Sequence, residues 1–164
     1  MLNVDTPSVE QLWESTAETL VAMGAPLAGF RPQLHGSLES ALARSLEFSR
    51  TNATLLRVLP IVLARWWRRL DWARLEQEAR ELGALETLGM LTELTASLAN
   101  APELAERARV WWRPVSEATF FFAPRNVFDE ELARARTPLL ARRWGYLMNM
   151  GDDSFRSLFE RHAG

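Results

Sequence analysis

The chain contains no cysteine and no lysine. Without cysteine there is no disulfide, no thiolate metal site and no cysteine nucleophile. Without lysine there is no Schiff-base amine and no P-loop lysine. All 19 residues of the Lys and Arg class are arginine. With the high Ala and Leu content, this suggests a bacterial genome rich in G and C. Histidine is scarce too: only His35 and His162 are present. A zinc site usually takes three or four ligands, so no bound metal is expected. His162 falls in the last turn of the last expected helix, where a cation suits the dipole.

Catalytic patterns are also missing. There is no G-x-S-x-G elbow, no G-x-G-x-x-G and no P-loop. Ser37 and Ser154 sit where helix caps or first turns are expected. The acid pairs Glu130-Glu131 and Asp152-Asp153 fall near expected helix starts, where negative charge favours the dipole. Adjacent acids on a helix also point in different directions. The expectation is a non-enzyme with no catalytic residue and no cofactor.

Long apolar runs are absent. The longest uncharged one, Val58 to Ala64, is seven residues and contains Pro60, whereas a membrane span needs about 20. Met1 to Ser8 is acidic and poor in apolar residues, unlike a signal peptide. A cytoplasmic protein without membrane contact is expected. The net charge of -2 gives no bulk attraction to nucleic acid or anionic lipid.

What the chain has is helical periodicity. At 164 residues, 48% hydrophobic and 24% charged, it is most simply one globular domain with a sizeable core. Residues 1–36 are either part of that domain or a loosely attached helix and loop. Ser8 caps a helix to about Met23, and Gly24 stops it. Ala25 to Gly36 carries Pro26, Gly29, Pro32 and Gly36 and reads as a loop. Ser37 starts a helix to about Arg50, and Asn52 caps the next. At Pro60 either one helix is kinked or a second begins; the pattern favours a short helix to Leu59 and a second from Pro60 to Arg69. Asp71 caps a helix with the stripe Trp72, Leu75, Ala79 and Leu82, ended by Gly83. Ala84 to Leu98 is apolar on most sides and should be central. Gly89 in its middle costs about 1 kcal/mol relative to Ala and is expected to let another helix approach closely.

Asn100 is expected to cap a helix that begins with Pro102 and ends before Pro114. Thr119 to Ala123 alone has strand character, and it has no hairpin partner in sequence. Helices should follow at Val127–Ala135, Pro138–Met148 (Thr137 cap) and Asp153–His162 (Asp152 cap). The fold class is therefore all-α: a compact bundle of about eight helices, with a short extended segment near 119–123. Asn52 to Asn100 forms its spine.

Two features raise the question of a partner. The first is Arg65-Trp66-Trp67-Arg68-Arg69, basic and aromatic like a nucleic-acid surface. Thr51 to Leu82 carries six arginines and four acids, but Ala84 to Glu106 carries four acids and no arginine. Ala79-x-x-x-Gly83 has the spacing of a helix-turn-helix. Its recognition helix would offer Glu86 and Glu93 to phosphates, with Gly89 where a branched core residue belongs. That reading fails. The second feature is aromatic excess. Four of the seven tryptophans form the pairs Trp66-Trp67 and Trp111-Trp112, and Phe120-Phe121-Phe122 is consecutive. Neighbours on a helix point about 100° apart, so such pairs are either covered broadly or face a partner. The partner-binding candidates are Trp66, Trp67, Arg68, Arg69, Trp111, Trp112, Phe120, Phe121 and Phe122.

Leu70 to Gly83, followed by Leu85 to Thr95, resembles a helical region of bacterial AbiE-type (type IV) antitoxins. In those, a glycine-containing turn leads into a Leu-Gly-aromatic-Leu-Leu-Glu helix. Leu88-Gly89-Met90-Leu91 with Glu93 is the matching part. The winged-helix domain expected at the start of such antitoxins is not visible. The resemblance thus implies a toxin-neutralising partner module rather than an autoregulator. The leading expectation is a helical protein–protein interaction module, self-association included. The alternatives are an antitoxin or immunity-like neutraliser, and a nucleic-acid binder through residues 65–69.

Overall fold

The computed structural model describes residues 5–163. Among them run nine α-helices: α1 (Val9–Ala22), α2 (Leu38–Phe48), α3 (Ala53–Trp66), α4 (Trp72–Glu81), α5 (Leu85–Leu98), α6 (Pro102–Trp111), α7 (Val127–Arg136), α8 (Leu139–Arg143) and α9 (Asp152–His162). Two short strands, β1 (Thr119–Phe120) and β2 (Tyr146–Leu147), lie between them. The all-α bundle read from the periodicity is the fold. No helix is long and apolar enough to cross a membrane among the described residues.

Helices α3 and α5 form the centre. Leu55, Leu56, Leu59, Ile61, Val62 and Leu63 of α3, with Leu88 and Leu91 of α5, are at most 1% exposed. Helix α3 packs on α2, α5 and α9, and α5 packs on α3, α4, α6 and α8. Helix α1 is held to this core, with Ala17 and Leu20 fully buried. The loop after it is pinned back on α1. The His35 amide donates to Thr19 Oγ1 (3.0 Å) and the Gln33 amide to the Glu18 carbonyl (3.2 Å).

The expected caps mostly hold. Ser8, Ser37, Asn52 and Asp71 each accept a backbone N–H three residues on, worth about 1 kcal/mol apiece. Gly83, at φ +66°, closes α4 as the Ala84 amide reaches the Ala79 carbonyl (2.8 Å).

Four expectations are corrected. Pro60 neither ends nor starts a helix; α3 runs through it. An interior proline costs about 3 kcal/mol, but the seven buried residues around it each return about 1.5–3 kcal/mol only if the helix continues. Asn100 does not cap α6. It sits at φ +51° and closes α5, and the Ala101 amide donates to the Ala96 carbonyl (2.9 Å). Asparagine tolerates this left-handed conformation better than most residues. The helix expected over 138–148 is only α8. It stops at Trp144, and Gly145 (φ +88°) turns the chain into β2. The caps shift with it: Thr137 ends α7, Pro138 precedes α8, and Gly151 rather than Asp152 precedes α9.

The extended segment at 119–123 does find a partner, one far along the chain. Strand β1 pairs parallel with β2, Thr119 opposite Tyr146 and Phe120 opposite Leu147. Side chains occupy both outer edges. Arg50 donates to the Phe121 carbonyl through Nε (2.8 Å) and to the Phe120 carbonyl through Nη2 (3.0 Å). On the other side Thr137 Oγ1 accepts the Met148 amide (3.0 Å). Capped edges of this kind resist further strand pairing.

Candidate functional site

The residues singled out from the sequence separate into three places. Trp66 and Trp67 end α3 half-buried. The Trp66 indole donates to the Met23 carbonyl (2.7 Å), and the Trp67 carbonyl accepts the Trp72 indole (2.7 Å). The Arg68 guanidinium lies 4.3 Å from the Trp67 ring centre, and that of Arg69 lies 5.5 Å from Trp66. Arg65 is spent on helix ends, donating to the carbonyls of His162 (2.9 Å) and Gly24 (3.5 Å). Arg68 and Arg69 thus each cover one indole of the pair.

The second place is the end of α6. Trp111 is 7% exposed and packs at 6.0 Å from Trp72. It belongs to the core and leaves the set of surface candidates. Trp112 is half-buried, and its indole donates to the Arg143 carbonyl (2.9 Å). Trp111 is thus covered by Trp72 of α4, and Trp112 is tied to the end of α8.

The third place is β1. Phe121 is 1% exposed, edge-on to Phe122 (4.8 Å) and Tyr146 (5.0 Å), with the Arg50 guanidinium 4.6 Å from its ring centre. It too is core and leaves the set. Phe120 and Phe122 are half-buried and line a groove of about 560 Å³. Its other apolar walls are Ala53, Ala123, Pro124, Ala133, Leu147, Met148 and Met150. Thr51, Asn149, Arg125 and Asp129 add polar groups at its margin. Arg125 Nε donates to Asp129 Oδ2 (2.8 Å), which holds that carboxyl below its usual range. The backbone Arg125 amide adds to the effect (3.1 Å).

Sequence reading missed most of this groove. Its lining comes from the turn before α3, the segment after β1, the inner face of α7 and the β2–α9 connection. Only folding brings these together. Met148-Asn149-Met150 was the one local hint, since methionine is frequent on adaptable binding surfaces.

A polar cleft of about 420 Å³ lies on the opposite side of β1–β2, between Arg50, Glu86, Arg113, Glu117 and Tyr146. Tyr146 donates to or accepts from Thr87 Oγ1 (2.9 Å). Burial pushes its hydroxyl above the usual value, against the Thr87 hydrogen bond and the Arg50 charge. Arg50, Arg113 and Tyr146 are already partnered within the fold.

Gly89 and Glu93 have an internal role. A Cβ on Gly89 would stand 2.2 Å from Trp144 Cζ3 and 2.3 Å from Cη2. The bare backbone of α5 is thus the seat of the Trp144 ring. One turn on, Glu93 Oε2 accepts the Trp144 indole N–H (2.6 Å), while Oε1 pairs with Arg143. The close approach expected at Gly89 is real, but a side chain from beyond α8 makes it. No group of three His, Cys, Asp or Glu residues that could hold a metal occurs among the described residues. No protein-family model, curated protein or solved structure matches the chain.

Proposed function

We propose that this chain is a protein–protein interaction module that takes apolar side chains of a partner into the groove beside β1. One observation carries this reading: the half-buried Phe120, Phe122 and Pro124 line an open groove of about 560 Å³ whose lining also takes in the buried Leu147, Met148 and Met150. Its margin carries one ion pair, Arg125–Asp129, on the surface of α7. Half-exposed aromatics with a polar rim are the usual makings of a peptide-anchor site. Such a site has no need of catalytic groups, and the non-enzyme reading goes with it.

The antitoxin reading would be one form of such a module. Of its best-matched residues, Leu88, Met90 and Leu91 are buried and Gly89 and Glu93 seat Trp144, so that motif offers a partner little surface. The nucleic-acid reading has less behind it, because Arg68 and Arg69 lie against the rings that bases would stack on.

Ala123 is exposed on the groove wall, so Ala123→Trp fills the groove without touching the core. Peptides displaying pairs of apolar anchors are screened against the wild-type chain, and the Met148 and Met150 methyl signals are followed by NMR. Binders should shift both methyls and lose about tenfold or more in affinity against Ala123→Trp. Binders that leave the methyls unmoved, or that ignore the substitution, defeat the proposal.

A further inference from the structure

Strands β1 and β2 stop pairing while both chains still run along the groove. Their last rung is the Phe121 amide to the Leu147 carbonyl (2.9 Å). In a parallel ladder of this register the next rung would carry the Asn149 amide to the Phe121 carbonyl. Arg50 Nε holds that carbonyl instead (2.8 Å), and the Met148 amide goes to Thr137 Oγ1 (3.0 Å). The paired stretch is therefore closed to a further strand. Beyond its last rung, the continuations of β1 and of β2 both line the groove, and no backbone hydrogen bond joins them.

Ala123 and Asn149 stand on these two continuations, and both are exposed. Among the described residues, neither the N–H nor the C=O group of either has a hydrogen-bond partner. Water serves these groups while the groove is open. An occupant that covers them has to replace that water, because a covered backbone group without a partner is costly. A helix does not replace it, since its own backbone groups are already paired. An extended segment does: its N–H and C=O groups are free, and its side chains alternate between two faces.

We infer that the groove takes its partner as an extended segment that hydrogen-bonds to the backbone of Ala123 and Asn149 where the sheet opens. Every second side chain of that segment is apolar and lies against Phe120 and Phe122. This is recognition by strand addition. It rests on the groove reading and adds the conformation and the chemistry of the partner. Charge adds one more element. Arg125 and Asp129 neutralise each other on the α7 side. Asp152 and Asp153, just beyond Met150, are exposed and have no ion-pair partner among the described residues. The partner segment is therefore basic at the end that passes the start of α9.

The probes are capped peptides in which Leu and Thr alternate, with Arg at the N or the C terminus. Each is compared with a twin carrying backbone esters in place of its central amides, and with a twin carrying Glu for Arg. A stapled helix with Leu at i and i+4 is the conformational control. Affinity is measured by calorimetry on the wild-type chain. By NMR the Met148 and Met150 methyls report occupancy, and the Ala123 and Asn149 amide protons report pairing. On saturation both amides should move downfield and exchange about tenfold more slowly or less. The esters should weaken binding about tenfold, having lost their donors. The better-bound Arg peptide should lose about threefold when Arg becomes Glu, and less at high salt.

Peptides that shift the methyls but leave both amides exchanging as before overturn this inference and leave the groove reading standing. So do esters that bind as tightly as their amides, or a stapled helix that binds as tightly as the extended peptide. Affinity that ignores the sign of the terminal charge overturns the basic end. If peptides of neither conformation bind, or if those that bind leave the methyls unmoved, the groove reading itself falls and this inference with it.

Discussion

Gly89→Ala is a sharp test of how this fold is held, because intrinsic helix propensity and packing predict opposite signs. In the middle of α5, propensity alone makes alanine more stable by about 1 kcal/mol. Packing works against it. The new Cβ would lie 2.2 Å from Trp144 Cζ3, 2.3 Å from Cη2 and 2.9 Å from Cε3. Carbon atoms rest at about 3.5–4.0 Å, so the ring must withdraw by about 1.3 Å or more. Forcing an extra methyl into a packed core costs about 1–3 kcal/mol. A ring shifted that far also loses the 2.6 Å bond from its N–H to Glu93, worth about 1.5–3 kcal/mol for a charged acceptor. Glu93 keeps Arg143, which puts the loss at the low end. The net expectation is destabilisation of about 1.5–3.5 kcal/mol. For a chain of this size that lowers Tm by roughly 5–15 °C. Urea unfolding, followed by tryptophan fluorescence and circular dichroism together, measures it. The decisive comparison repeats the substitution in a Trp144→Leu background. With the indole gone, Gly89→Ala should be neutral or stabilising by up to about 1 kcal/mol. If Gly89→Ala leaves the otherwise wild-type chain as stable or more so, the seat described for Trp144 is wrong.

Other substitutions probe the same architecture. Arg50 holds two β1 carbonyls and lies 4.6 Å from the Phe121 ring centre and 4.9 Å from that of Tyr146. Arg50→Lys should cost about 2 kcal/mol in urea unfolding, because an ammonium cannot reproduce the planar fork; a neutral result would show that the clip is unimportant. Tyr146 offers a pH test. Its folded pKa lies above the ordinary value of 10.0, chiefly through burial. The folded state thus keeps its proton where the unfolded state begins to lose it. Its contribution is complete below pH 10 and is lost as pH rises from there through the raised folded value. The chain has one tyrosine and neither lysine nor cysteine, so this alkaline loss belongs to Tyr146. Tyr146→Phe should flatten the stability profile above about pH 10 while costing about 1 kcal/mol at neutral pH for the Thr87 bond. A slope that persists in Tyr146→Phe counts against this assignment.

Local chemistry was the legible part of the fold. Ser8, Ser37, Asn52 and Asp71 cap as read, because a cap needs only its own next three residues. Gly83 stops α4 for the same reason. Reading failed where distant contacts decide. Pro60 looks like a boundary until the apolar cover on both sides of α3 is known. Asn100 has equal claims to start α6 or to end α5, and only its left-handed φ separates them. Residues 144–148 have helical periodicity but are drawn off it. The Trp144 ring is held by Gly89 and Glu93, and Tyr146–Leu147 is held by β1. The candidate site was half legible. The Phe120–Phe122 run drew attention correctly, yet strand alternation sends Phe121 inward and its neighbours outward. The methionines and α7 residues that complete the groove are too dispersed to announce it.

The aromatic side chains divide along a physical line that bears on function. Four of the seven tryptophans direct the indole N–H to an acceptor inside the chain: Trp66 to Met23, Trp72 to Trp67, Trp112 to Arg143 and Trp144 to Glu93. Tyr146 is likewise bound to Thr87. A ring with a polar end fixed this way has one orientation, and moving it onto a partner would leave an acceptor without its donor, at about 1–3 kcal/mol where that acceptor is buried. Phenylalanine has no such anchor. Phe120 and Phe122 at the groove, and Phe128 on the far face of α7, can repack or be covered at no hydrogen-bonding cost. The tryptophan excess that first suggested an interface is therefore mostly structural. The residues free to meet a partner are the phenylalanines around α7, and a variant there should change binding while leaving the tryptophan emission of the fold unaltered.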